Sequence, residues 1–346
     1  MYEVGVFCAG QQIGGAEVIC LDLAEWLHRQ GVKTWLFLGR GGRPQIRSRL
    51  DDLTVETISH EKIGAYVSRT RTLFIYGTKL IGQDELLSRS LNRAGRVIAF
   101  VGGFNSDYVD AQHLQVETYL AECHAVPHYF QMVHDVWNWE ICRIPMPTWL
   151  FEQTIVPWDG VADDVLVFGV MSRLAPRKQV AQAIQAFLGT ASRPAALVIV
   201  GNGSEKKALV EQAGSDERIM FLGLVEDRSE QLALLSRFDV LVNPSKWEAC
   251  SRVIREAMWI GTPVVATDGY VLGLDGDKWG DGTRELLVDR RSALIRSIAD
   301  DAQSLAREMF FCLRPSLMER IANRARVDAE IMDSKDSEKL LRILVA

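Results

Sequence analysis

The chain alternates short apolar runs with longer stretches of helical spacing. YEVGVFCAG reads as a buried strand, and residues 16–30 follow with apolar positions at Val18, Leu21, Leu23 and Leu27, the spacing of a helix face. KTWLFLG, TLFIYGT and RVIAFVGG repeat the strand pattern, with helical stretches between them. ECHAVPHY and CRIPMP are weaker strand candidates, separated by a helix over 130–140. The second half is more regular: DVLVFGVMS, AALVIVG, RIMFLG, DVLVNPS and TPVVAT alternate with amphipathic segments. Such near-continuous apolar runs predict strands covered on both faces, as in an open parallel sheet. From Arg291 onward the pattern is helical, and SKDSEKLLRILVA reads as a capped helix with Leu340, Leu341, Ile343 and Leu344 apolar.

Residues 145–164 hold three prolines and no clean period, so they read as a linker in which Trp149 and Trp158 pack against a domain face. The expected fold class is α/β, with two doubly wound Rossmann-like domains over 1–158 and 159–330. A C-terminal helix, 331–346, is expected to pack back towards the first domain.

Composition narrows the function without naming it. A length of 346 residues with 48% apolar positions fits two domains with real cores. The net charge of −6 argues against a general nucleic-acid-binding protein, yet permits a local basic groove for a phosphate-bearing ligand. The six cysteines are scattered with no C-x-x-C pair, so neither a zinc site nor a disulfide framework is indicated. No secretory signal and no run of about 18 apolar residues is visible, and a cytoplasmic protein is expected.

The unusual residues gather at one place in the pattern. Arg173 and Lys178 follow the strand DVLVFGVMS; Gly201, Asn202 and Gly203 follow AALVIVG; Glu248 follows DVLVNPS; Asp268 and Gly269 follow TPVVAT. In open α/β sheets ligands bind beyond the carboxyl ends of the strands, where all four sets converge. Two cations on one loop suit a diphosphate, although a solvated basic loop has the same composition. Glu248 and Glu256 stand eight residues apart around a helix start near 249–251. Free amides of Cys250, Ser251, Arg252 and Val253 there suit an anion. Eight residues at a rise of about 1.5 Å cover about 12 Å, comparable to the reach from a ribose across a diphosphate to a sugar ring. The spacing alone equally fits an exposed helix glutamate. Gly14 and Gly15, between the first strand and helix, suit close approach of backbone to a ligand, or simply a turn.

Together these residues resemble the retaining glycosyltransferases of family 4, which have the GT-B fold. SRLAPRK is similar to the family's R-L-x-x-x-K loop, EACSRVIREAMWIGTPVVAT to its E-x7-E segment and the following G-T-P-V-V-A-T, and IGGAE to its Gly-Gly loop. The resemblance covers most of the chain and is strongest over 165–267. It implies parallel sheets facing a central cleft and metal-independent transfer of a sugar from a nucleotide-sugar with retention of configuration. No cofactor is implied beyond that donor substrate. Arg173, Lys178 and Glu248 become catalytic candidates. The donor-binding candidates are Gly14, Gly15, Gly201, Gly203, Cys250, Ser251, Arg252, Val253 and Glu256.

Three departures stand out. The His that the family carries after a first-domain strand is absent: Gly102 and Gly103, with Asn105, occupy the acceptor-side stretch where it is expected, and His134 falls too close to Arg173. Ala249 replaces the usual Gly after the first Glu. DGYVLGLDGDKWGDG replaces the Gly-Gly-x-Pro-Glu turn, and its Asp275, Asp277 and Asp281 read as a polar loop, since their spacing is not that of an EF-hand. The acceptor is expected to be a saccharide, a lipid-linked molecule or a small molecule. Arg40, Arg43, Arg47 and Arg49 form a basic stretch that suits an exposed face, a phosphorylated acceptor or peripheral contact with a membrane's inner face. Trp137 and Trp139 suit packing, or stacking on sugars. The missing His keeps open a catalytically silent nucleotide-sugar-binding protein, and the architecture a nucleotide-sugar epimerase.

Overall fold

The computed structural model describes residues 2–8, 15–38, 56–57, 62–76, 85–104, 114–134, 136–152, 154–189, 194–272, 278–297, 302–312 and 314–345. The chain divides into two units, Met1–Pro147 together with Asp333–Ala346, and Thr148–Met332.

The first unit runs β1 (Tyr2–Cys8), α1 (Gly15–Arg29), β2 (Thr34–Leu38), β3 (Glu56–Thr57), α2 (Ile63–Val67), β4 (Thr70–Tyr76), α3 (Glu85–Leu91), β5 (Arg96–Val101), β6 (Thr118–Ala121), α4 (Ala125–His134) and β7 (Trp139–Ile141). Its strands pair in the order β3-β2-β1-β4-β5-β6-β7, all parallel. Val4, Val6, Leu73, Phe74, Ile75 and Phe100 are sealed from solvent, as central strands of a covered sheet require. The segment ECHAVPHY is not a strand. Pairing ends at Ala121, and Pro127 sits early in α4, where its missing N–H leaves no bond unmade. Val126 and Phe130, four apart, bury the face of that helix. The helix stops at His134, and β7 precedes CRIPMP instead of falling within it.

The second unit runs α5 (Thr148–Phe151), β8 (Leu166–Met171), α6 (Val180–Leu188), β9 (Ala195–Val200), α7 (Lys206–Ala213), β10 (Ile219–Gly223), α8 (Arg228–Arg237), β11 (Val240–Asn243), α9 (Arg252–Ile260) and β12 (Val264–Asp268). There follow a hairpin of β13 (Tyr270–Leu272) and β14 (Lys278–Gly280), then α10 (Thr283–Leu286), β15 (Leu294–Ser297), α11 (Ala302–Phe311) and α12 (Pro315–Val345). From Asp333 on, α12 belongs to the first unit. The main sheet is parallel in the order β10-β9-β8-β11-β12-β15. Alternate residues feed two cores. Phe168, Val170, Leu197 and Ile199 point to one face, and Val167, Val198, Val200 and Leu241 to the other.

The edge strand β15 lies in a stretch whose pattern reads as helical. Ser-Ala-Leu-Ile fits the start of a helix as well as a four-residue strand, and only pairing with β12 decides it. The prolyl linker packs on the second unit: Trp158 joins its core and Phe151 stacks on Trp259 with centroids 5.9 Å apart. No helix among the described residues is long and apolar enough to cross a membrane.

Candidate active site

The order of the second sheet reverses between β8 and β11. The chain leaves β8 towards β9 on one side and β11 towards β12 on the other, so the two loops diverge and open a crevice at the carboxyl edge, the general ligand position of doubly wound sheets. The loop after β8 carries Arg173 and Lys178, and the loop after β11 carries Glu248.

The β8 loop is held stiffly. Leu174 is fully buried, and residues 176–178 form a single 3-10 turn closed by Gln179 in the left-handed region at φ 48°. A non-glycine residue there is held by its surroundings, and the turn it closes sends Lys178 inward. Gly201, at φ 135°, and Gly203 lie directly behind: a Cβ on them would stand 1.9 Å from the Ser172 carbonyl oxygen and 2.2 Å from that of Leu174. These two glycines therefore brace the backbone on either side of Arg173.

Lys178 Nζ pairs with Glu248 Oε1, and Ser245 Oγ donates to the same oxygen at 2.7 Å. Arg177 Nη1 stands 3.6 Å from Glu248 Oε2 and its guanidinium lies over the Trp247 ring, 4.7 Å from the centroid. The Lys246 amide donates to the Arg177 carbonyl at 2.7 Å, tying the two loops together. Arg173 is exposed and makes no ion pair among the described residues. Lys178 and Arg177 thus face the Glu248 carboxylate, and Arg173 on the same loop is near enough to repel Lys178. Burial works against the Glu248 charge, but Lys178 and Arg177 outweigh it and hold the carboxyl below its usual range. Burial, with repulsion from Arg177 and Arg173, lowers Lys178 against the pull of Glu248. Glu248 therefore holds the Lys178 ammonium in place with a carboxylate that an incoming anion can replace.

Glu256 lies in the second turn of α9 and is only 3% exposed. It is not a surface helix residue: it pairs with Arg228 and accepts from Arg252 Nε at 3.1 Å. The helix that carries it begins at Ser251, whose hydroxyl accepts from Asn243 Nδ2 at 3.2 Å and does not cap the helix. Arg252 and Val253 form the first turn behind Ser251, with Cys250 half-buried beside them. Gly261, left-handed at φ 86°, ends the helix, and its amide bonds the Ala257 carbonyl at 2.9 Å.

Elsewhere the structure places the sequence candidates more sparsely. Gly15 is the first residue of α1. Gly102 and Gly103 follow β5; a Cβ on Gly102 would lie 2.6 Å from the Tyr76 hydroxyl, whereas a Cβ on Gly103 would meet nothing within 4 Å among the described residues. His134 ends α4. Trp139 packs between Tyr119 and Phe130, and Trp137 is 66% exposed. Gly14, Asn105, Asp275, Asp277, Arg40, Arg43, Arg47 and Arg49 lie outside the described residues. Arg177, Arg228 and Ser245 are not among the residues expected from the sequence, and Asp281 is expected there only as part of a polar loop. Arg177 alone had a local signal, its position beside Lys178.

Residues 164–310, the bulk of this unit, match the family described as Glycosyl transferases group 1. The second unit is a group 1 glycosyltransferase domain. Over 153 residues the chain is 31% identical to a 2-deoxystreptamine glucosyltransferase of Streptomyces kanamyceticus, covering 41% of this chain and 38% of that protein. Over 73 residues it is 42% identical to a phosphatidyl-myo-inositol mannosyltransferase of Mycobacterium leprae (strain TN), covering 21% and 19%. The aligned stretches thus span well under half the length of these curated relatives. Beyond the glycosyltransferase domain, the whole chain superposes on HepE of Anabaena in complex with UDP and glucose, with TM-score 0.79, 18% identity and 100% of both chains covered. It also superposes on sucrose-phosphate synthase of Thermosynechococcus elongatus, with TM-score 0.71, 15% identity and 99% and 98% covered. The fold is GT-B.

Proposed function

We propose that the protein transfers a sugar from a nucleotide-sugar to an acceptor hydroxyl, with retention of anomeric configuration and without a metal ion. The observation that carries this reading is the charge arrangement at the switch point. Lys178 and Arg177 stand against the Glu248 carboxylate with Arg173 beside them, and these three cations outnumber Glu248 and Asp281, an excess that suits the diphosphate of a nucleotide-sugar. The diphosphate displaces Glu248 from Lys178, and the three cations stabilise the charge that grows as the bond from the sugar C1 to the phosphate oxygen breaks. Glu248, released, accepts from sugar hydroxyls. Glu256, anchored by Arg228 and Arg252, accepts from the ribose hydroxyls at the other end of the slot. The first-turn amides of Arg252 and Val253, at the start of α9, take phosphate oxygens between them.

One observation favours a second reading. The carboxyl end of β5 carries Gly102 and Gly103 where the resembled family places a His, which suits a protein that binds a nucleotide-sugar without turning it over. The purified protein, incubated in EDTA with a panel of nucleotide-sugars and pooled saccharide, lipid-linked and small-molecule acceptors, separates the two by mass spectrometry. A glycosylated product with the donor's anomeric configuration supports transfer. Tight donor binding with no product from any pool supports the silent reading, and a recovered epimerised donor makes it an epimerase.

A further inference from the structure

Glu248 is held by more than its carboxylate. Its amide donates to Asp281 Oδ2 at 2.7 Å, and its carbonyl accepts from the Gly282 amide at 2.8 Å. Two consecutive residues at the foot of the β13–β14 hairpin therefore hold both backbone polar groups of one residue in the β11 loop. Asp281 is itself fixed: Oδ1 accepts from the Thr283 amide at 2.9 Å and Oδ2 from the Thr283 hydroxyl at 3.1 Å. Gly269 closes the back of this junction, since a Cβ there would lie 2.3 Å from Asp281 Oδ2 and 2.5 Å from the Lys246 carbonyl oxygen.

We propose that Asp281 is a positioning residue of this site, setting through the Glu248 peptide where the Glu248 carboxylate and its partner Lys178 stand. This rests on the transferase reading of the β8 and β11 loops. Asp281 is 3% exposed and makes no ion pair among the described residues; neutral N–H and O–H groups alone bind it. A buried carboxylate without an ion pair is an expensive strut, and a neutral side chain would serve a purely structural junction at lower cost. Its charged neighbours are Glu248, which repels it, and Arg284 on α10. Burial raises its carboxyl to about 6 against the opposing hydrogen bonds, so its charge changes just below neutrality. Protonation weakens the acceptor that the Glu248 amide needs.

The test is Asp281→Asn, which keeps the shape but sets an amide where an acceptor stood, alongside Thr283→Val. With an active donor, Asp281→Asn lowers kcat about 10- to 100-fold, as small misplacement at a reacting centre does. KM for the donor stays within about threefold, and Tm at pH 7.5 is not reduced in proportion, because the penalised charge is gone. In wild type kcat falls on the acid side with a midpoint near pH 6; that limb disappears in Asp281→Asn. It moves to higher pH in Thr283→Val, which removes a hydrogen bond to the charged form. An active enzyme in which Asp281→Asn keeps wild-type kcat and the same acid limb overturns this inference alone. A wild-type protein that turns over no nucleotide-sugar refutes the transferase reading and this inference with it.

Discussion

Replacing Lys178 with Met separates the two tasks assigned to that residue. The Lys178 and Glu248 side chains are 11% and 10% exposed, so removing the ammonium leaves a carboxylate largely shut off from water. Breaking a buried pair typically costs about 3–5 kcal/mol. Here Arg177 at 3.6 Å and the Ser245 hydroxyl at 2.7 Å partly replace the lost partner, so a loss near the lower end, about 3 kcal/mol, is expected. The pH dependence has a definite sign. In wild type the Glu248 carboxyl is held down, so its contribution is present above the unfolded carboxyl range and lost as pH falls through the depressed value. Without Lys178 burial raises that carboxyl instead, so the penalty is full at neutral pH and shrinks as the group protonates in acid. Urea denaturation at pH 7.5 and pH 4 checks this: the gap between wild type and Lys178→Met narrows at the lower pH. Adding Glu248→Gln recovers much of the lost stability, because the uncompensated charge is gone. Activity behaves differently. Nucleoside diphosphate release falls about 100- to 1,000-fold in Lys178→Met and stays low in the double variant, since the departing phosphate has lost its most buried cation. Full turnover in Lys178→Met, or a double variant less stable than the single, refutes the reasoning.

Other outcomes follow from the same geometry. Arg173→Ala leaves Tm unchanged, because Arg173 is exposed and forms no ion pair among the described residues, yet lowers kcat/KM for the donor at least about 100-fold by coupled assay. Glu256→Gln weakens nucleoside diphosphate binding about tenfold by calorimetry, as expected for a lost charge-assisted acceptor, with little change in kcat at saturating donor. Gly201→Ala, with φ 135° and a Cβ that would stand 1.9 Å from the Ser172 carbonyl oxygen, lowers stability by about 2–4 kcal/mol in denaturant melts and impairs the Arg173 loop with it.

The crevice at the carboxyl edge of the second sheet was legible because its parts are local. DVLVFGVMS and DVLVNPS are apolar runs long enough to be seen as covered strands, and each ends in residues that such a strand does not need. The switch-point rule then brings Arg173, Lys178 and Glu248 to one crevice without a structure. What stayed hidden depends on distant pairing. Asp281 meets the Glu248 amide across 33 residues, with a hairpin between them that has no strong pattern of its own. Glu256 looked equally suited to the surface because its neutralising partner, Arg228, comes from another helix 28 residues earlier. The strand β15 was missed for a different reason: four residues of mixed character carry no period, and edge pairing with β12 alone makes them a strand.

The central claim is that the loops after β8 and β11 bind the diphosphate of a nucleotide, and calorimetry with a panel of nucleoside diphosphates and their monophosphates tests it most directly. Wild type is predicted to bind at least one diphosphate at least about tenfold more tightly than its own monophosphate, a difference of about 1.4 kcal/mol for the second phosphate, and Arg173→Ala and Lys178→Met to lose that preference. Equal affinity for diphosphate and monophosphate across the whole panel in wild type, or an undiminished preference in both variants, would contradict it.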